Sequence, residues 1–102
     1  MFRYKGKRCV IGLCGDLWDY PERFALGAEV LFWPVYTSWT AEEWERSARA
    51  DYAAQAGRCC PKALYINALC EEDAFGGAAF FENGAVRAEL PMGREGLLFV
   101  EV

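Results

Sequence analysis

The sequence predicts an α/β (α+β) domain, a single mixed sheet with two helices on one face, in the order β-α-β-α-β-β-β-β. Three observations carry this. Apolar runs of strand length recur, separated first by helical patterns and later only by turn residues. Thr40-Ala41-Glu42-Glu43 is a capping box, in which Thr40 accepts from the backbone N–H of Glu43 and Glu43 reaches back. Asn83-Gly84 is the two-residue signal of a type I′ hairpin. At 102 residues the chain is expected to form one domain spanning 1–102, and no internal repeat or linker interrupts it.

Residues 1–6 read as a polar, loose opening segment. Residues 7–13 are β-branched and apolar and predict a strand that ends at Cys14. Pro21 then opens a short helix over 21–26, with Asp19 as its cap and Gly27 placed to end it. Residues 29–33 form a second strand, apolar on both faces after Glu29, which Pro34 stops. The capped helix runs to about Ala56 and ends at Gly57. Its inner stripe is Trp44, Ala48, Asp51 or Tyr52, and Gln55 or Ala56, and its many alanines let it lie close to a sheet. Strands follow at 63–69, 77–81, 85–90 and 96–102.

Composition removes several function classes. A 54% apolar share is too high for a disordered chain. The net charge is −4, and the only basic cluster is Arg3, Lys5, Lys7 and Arg8, so nucleic acid is not the expected partner, and the four tryptophans read as core and pocket wall rather than a stacking platform. No run approaches a membrane span, no signal-peptide pattern follows Met1, and a cytoplasmic, membrane-free protein is expected. Five cysteines without a secretory signal read as free thiols. With no histidine and no C-x-x-C, neither a metal site nor another cofactor is expected.

The chemistry-bearing stretch is Val10 to Glu22. An apolar strand delivers Cys14 to a sharp break, Gly15-Asp16, before the next helix. A thiol at the end of a strand, followed by a residue whose N–H is free, is where a fold places a nucleophile beside an oxyanion donor. The plain alternative is a small buried cysteine. Asp16 and Glu22 read as a local backbone acceptor and a helix-dipole partner rather than as acids in catalysis. Cys59-Cys60 reads as two unpaired thiols, leaving a thiol redox protein a distant reading.

The ordered set Gly12-Leu13-Cys14-Gly15-Asp16-Leu17-Trp18 with Pro21-Glu22, Gly27-Ala28-Glu29-Val30-Leu31 with Pro34, Trp44, Ala48-Arg49-Ala50, Phe75-Gly76-Gly77 and the Gly84 hairpin resembles the carbon-nitrogen hydrolase (nitrilase) superfamily over essentially the whole chain. The resemblance implies an αββα sandwich, two sheets stacked face to face with helices outside. It also implies a Glu-Lys-Cys set that cleaves amides or nitriles through a thioester, with Cys14 as nucleophile and Gly15 as oxyanion donor. Pro34, Val35, Tyr36, Trp18 and Trp39 would line the substrate pocket. In that family the Glu and Lys lie well before the Cys, and here Lys5 and Lys7 stand at the wrong distance. Asp51-Tyr52 follow Arg49-Ala50 where the family often has Glu-Asn. The match is therefore to a C-terminal half of such a domain.

The count of faces leads to the same place. Alternate residues of the strands are apolar on both sides of the sheet, and two helices cover one side. The uncovered face is expected to find a partner, as a homodimer or with a complementing N-terminal half. Alone, the chain is expected to be inactive for want of a base. The substrate class implied is a small amide or nitrile, and Cys-Gly-Asp-Leu-Trp selects no member of it. The second expectation is a non-catalytic homodimeric module whose apolar sheet face is an interaction surface.

Overall fold

The structure, a computed structural model, describes residues 1–24, 26–70, 74–93 and 96–102. Six strands form one mixed sheet in the order β1-β2-β3-β4-β7-β8: Phe2–Tyr4, Lys7–Ile11, Val30–Val35, Lys62–Asn67, Ala78–Glu82 and Ala85–Leu90. The central β2, β3 and β4 run parallel, and the flanking pairs are antiparallel. A separate pair, β5 (Leu69–Cys70) and β6 (Ala74–Phe75), stands beside it. The mixed α+β class and the placement of the helices on one face of the sheet are as the sequence predicts.

Several elements differ, each for a physical reason. The opening segment is not loose: β1 pairs with β2 through a tight turn at Lys5 and Gly6, whose φ values of 51° and 77° are the left-handed pair of a type I′ hairpin. Pro34 does not stop β3, which runs on to Val35. It acts on the neighbour instead. The Pro34 carbonyl accepts from Cys14 N–H at 3.0 Å, but with no N–H of its own it cannot complete the parallel ladder at Gly12. Strand β2 therefore ends at Ile11 and peels away toward Cys14.

The segment after Cys14 holds two short pieces rather than one helix at 21–26: α1 (Asp16–Asp19) and a 3-10 turn, Pro21–Phe24. Asp19 lies inside α1 and does not cap the 3-10 turn. Ala25 of the predicted helix lies outside the described residues.

The capping box forms as read, with Glu43 N donating to Thr40 Oγ1 at 3.1 Å and Thr40 N to Glu43 Oε1 at 3.3 Å. From it runs one long helix, α2 (Ala41–Glu43), a π-helical stretch Trp44–Ala48 and α3 (Arg49–Cys59). Trp44, Ala48, Tyr52 and Ala56 form its buried stripe. A stripe at strict intervals of four drifts about 40° per step around an α-helix, and the wider π turn absorbs part of the drift. Tyr52, not Asp51, faces inward, and both Gln55 and Ala56 are buried.

Gly57 does not end this helix, which continues to Cys59. Its role is close approach: a Cβ there would lie 2.8 Å from Gly84 Cα, so the hairpin turn at Asn83 and Gly84 packs directly on the helix backbone. The Arg49–Glu89 ion pair at 2.7 Å ties the same helix to β8.

The strand predicted over 63–69 divides into β4 and β5, and the one predicted at 77–81 is β7. Val10, Leu31, Ala63 and Phe81 form one row across the sheet, and Trp33, Tyr65 and Ala79 the next. These rows join the helix stripe in one core. The rows Ile11-Phe32-Leu64-Phe80 and Pro34-Ile66-Ala78 lie on the other face.

That second face is not bare, and the strand predicted at 96–102 does not form there. Residues 96–102 pair with no strand among the described residues; they form a strap whose residues line spaces against Phe32 and Leu64. Leu98, Val100 and Val102 are half-buried, while Leu97 and Phe99 are 78% and 86% exposed. Lys62 Nζ donates to the Val102 carbonyl at 3.3 Å. The strap covers part of the face, and Ile11, Leu13 and Ile66 remain exposed.

Candidate functional site

The carboxyl ends of parallel strands are where open α/β sheets bind ligands, because successive loops diverge there. Here the ends of β2, β3 and β4 bring together Cys14, Tyr36 with Thr37, and Asn67. Cys14 sits at φ 47°, a left-handed conformation costly for a side chain other than glycine. Three contacts hold it there. Cys14 N donates to Pro34 O at 3.0 Å, Trp33 Nε1 donates to Cys14 O at 2.9 Å, and Asp16 N closes the turn on Leu13 O at 2.9 Å. Leu17 is fully buried, and its side chain lies over Gly12, where a Cβ would collide with it.

The long helix holds the turn from behind. Buried Gln55 donates through Nε2 to Leu17 O at 2.6 Å, satisfying a carbonyl of the short helix α1. On the other side, Asn67 receives Thr37 N at 2.9 Å and donates to Thr37 O and Gly76 O at 3.3 and 3.0 Å. A buried amide with its groups paired in this way fixes the loop after β3 against β4.

The thiol is exposed, and its hydrogen-bond partner among the described residues is the Tyr36 carbonyl, 3.9 Å from Sγ. Gly15 has φ −74°, which any residue adopts, and a Cβ there would meet nothing closer than Asp19 Oδ2 at 3.8 Å. Its N–H donates to no acceptor among the described residues. Any oxyanion role for Gly15 thus rests on its backbone and not on its lack of a side chain.

The aromatic residues gather on one ring. Tyr52 lies 5.1 Å from Trp33, 5.3 Å from Trp18, 5.7 Å from Trp44 and 6.4 Å from Trp39, which also donates to the Tyr52 hydroxyl at 3.3 Å. Trp18 and Trp39 are therefore held by the core, with Trp18 half in solvent. Tyr36 is exposed and borders the thiol through its carbonyl. Among the described residues, Cys14 lines none of the four principal cavities, and its thiol is exposed.

Two features of the site were not read from the sequence. Tyr65 is 1% exposed, and its hydroxyl and that of Thr37 are buried without hydrogen-bond partners. Thr37 lies beside the phenol and steadies its charged form, though the two oxygens do not meet in bonding geometry. Burial dominates and pushes the Tyr65 phenol up to about 12. Gln55 is the other, a polar residue in an apolar stripe whose partner is a carbonyl distant in sequence.

Burial likewise raises the thiols of Cys59 and Cys60, the latter to about 11, which marks them as inert. Among the described residues no three His, Cys, Asp or Glu side chains are grouped to hold a metal ion, and no helix is long and apolar enough to cross a membrane. Compared with protein-family models and with curated proteins, the chain matches none.

Proposed function

We propose that this chain is the nucleophile-bearing half of a nitrilase-type thiol hydrolase that acts on small amide or nitrile carbons. The observation that supports this best is Cys14 itself: an exposed thiol held in a left-handed turn at the ends of three parallel strands, with a free N–H on the next residue. Strain of that kind is retained where a side chain must be presented.

The reaction runs through covalent catalysis. A base takes the thiol proton and Sγ attacks the carbonyl carbon. The carbonyl oxygen, now anionic, lies toward Gly15 N–H. Collapse breaks the C–N bond, the amine leaves with a proton from the base, and water then cleaves the thioester to acid and free thiol. Among the described residues no carboxylate, lysine or arginine is hydrogen-bonded to the thiol. The base comes in this reading from a second polypeptide laid over the strap side of the sheet.

The test is reconstitution. The chain, mixed with a separately expressed N-terminal half of a carbon-nitrogen hydrolase bearing the Glu and Lys, releases ammonia from a small amide, and Cys14→Ala abolishes it. A mixed complex that forms but stays inactive, or one in which Cys14→Ala is as active as the parent, refutes the reading.

A second reading is a non-catalytic homodimeric module. The exposed Leu97 and Phe99 of the strap, with Ile11, Leu13 and Ile66, favour it. At about 25 cal/mol per Å2, several hundred Å2 buried per chain suffices for association. A stable monomer at micromolar concentration in sedimentation equilibrium refutes it.

A further inference from the structure

We propose that the space between the strap and the sheet binds an alkyl carboxylate, with its chain under Leu98 and Val100 and its carboxylate at the Lys5–Lys7 turn. Cys14 borders neither part of this space, although Asn67 at the carboxyl end of β4 does.

A groove of about 610 Å3, open to solvent along part of its length, lies between strap and sheet, bordered by Phe32, Leu64, Ile66, Ala78, Leu90 and Leu98. Ligand sites occupy several hundred Å3. Water inside it would find few polar partners along these side chains, so an apolar occupant is favoured.

Its charge is concentrated at one end. A second space of about 470 Å3 shares Phe32, Leu64 and Val100 with the first and is bordered beyond them by Lys5, Lys7, Tyr4 and Glu101. Lys5 rests over the Tyr4 ring at 5.5 Å, and neither lysine forms an ion pair among the described residues. Lys7 is half-buried, and Glu101, exposed, and Val102 border the same space. An anion at this end gains attraction that a neutral head does not. Among the described residues the strap is held by no strand ladder but by the bond from Lys62 to the Val102 carbonyl.

The test uses the full chain and decanoate below its micelle concentration, with decanol as the neutral counterpart, followed by isothermal titration calorimetry. Decanoate is expected to bind saturably, one per chain. Lys5→Gln with Lys7→Gln weakens decanoate about fivefold to tenfold and leaves decanol unchanged. Leu64→Trp fills the cavity and removes both. Ala78→Leu serves the same purpose should Leu64→Trp lose its cooperative melt. Absence of saturable decanoate binding overturns the proposal, as does equal loss of decanoate and decanol in the lysine variant. It is equally overturned if anionic vesicles bind with the lysine dependence while monomeric decanoate does not, or if a stable dimer forms that excludes decanoate.

Discussion

Gly57→Ala is the sharpest test of how the helix layer sits on the sheet, because local and tertiary physics disagree about its sign. Within a helix, Gly→Ala is ordinarily stabilising by about 0.8–1.0 kcal/mol. Here the new Cβ would stand 2.8 Å from Gly84 Cα and 2.9 Å from Gly84 N. Both are backbone atoms of a turn fixed by Asn83 at φ 52° and Gly84 at φ 80°, so no flexible side chain can yield. Forcing an extra methyl into such a contact costs about 1–3 kcal/mol beyond what it gains. A net loss of about 1–3 kcal/mol corresponds to a fall in Tm of about 5–15 °C for a domain of this size. Differential scanning calorimetry reads it directly. Ala54→Gly, on the exposed side of the same helix, is the propensity control and should lose about 1 kcal/mol. A rise in Tm for Gly57→Ala would refute the close packing of the hairpin turn on the helix, and with it the placement of this layer.

The same contacts set other outcomes. Iodoacetamide should modify Cys14 first in the folded chain and leave Cys60 for last, since Cys60 is buried and its thiol, pushed up to about 11 from 9.0, carries roughly a hundredth of the ordinary thiolate; peptide mass spectrometry after timed quenching gives the order. Tyr65 links stability to alkaline pH: its phenol is raised from 10.0 to about 12 in the folded state, so the unfolded chain loses this proton first. Stability is intact below pH 10 and falls, on the order of 2 kcal/mol, as the pH rises from 10 toward 12, and urea melts of Tyr65→Phe should lack that component. Gln55→Leu strands the Leu17 carbonyl in the core and should cost about 1–3 kcal/mol in chemical denaturation while loosening the turn at Cys14. Thr40→Ala removes the capping oxygen and should cost about 0.5–2 kcal/mol by the same assay.

The elements that were legible before folding are those whose cause lies within a few residues. Thr40 and Glu43 satisfy each other's backbone N–H groups, and Asn83-Gly84 accepts the left-handed pair of a type I′ turn, whatever surrounds them. The Cys14 turn belongs to this class in part: the break at Gly15-Asp16 announces a strand end, and the apolar run before it a buried strand. The readings that had to change depend on a neighbour distant in the chain. Pro34 looks like a terminator, but its carbonyl serves Cys14 and its missing N–H ends the adjacent strand instead of its own. Gly57 looks like a helix stop, but it is needed where Gly84 arrives. Residues 96–102 have the alternation of a strand and find no ladder among the described residues, so they become a strap.

The sequence by itself determined the class of the domain, the capped helix, the hairpin, and a cysteine at a strand end followed by an available N–H, because each arises from local backbone chemistry and the period of apolar residues. Tertiary structure alone decided what surrounds that cysteine. Bringing β2, β3 and β4 parallel sets Tyr36, Thr37 and Asn67 around it, and Gln55 reaches across from the helix to hold its turn. It also decided that the thiol faces solvent with no base hydrogen-bonded to it among the described residues and that a groove opens under the strap, for both depend on which distant surfaces meet.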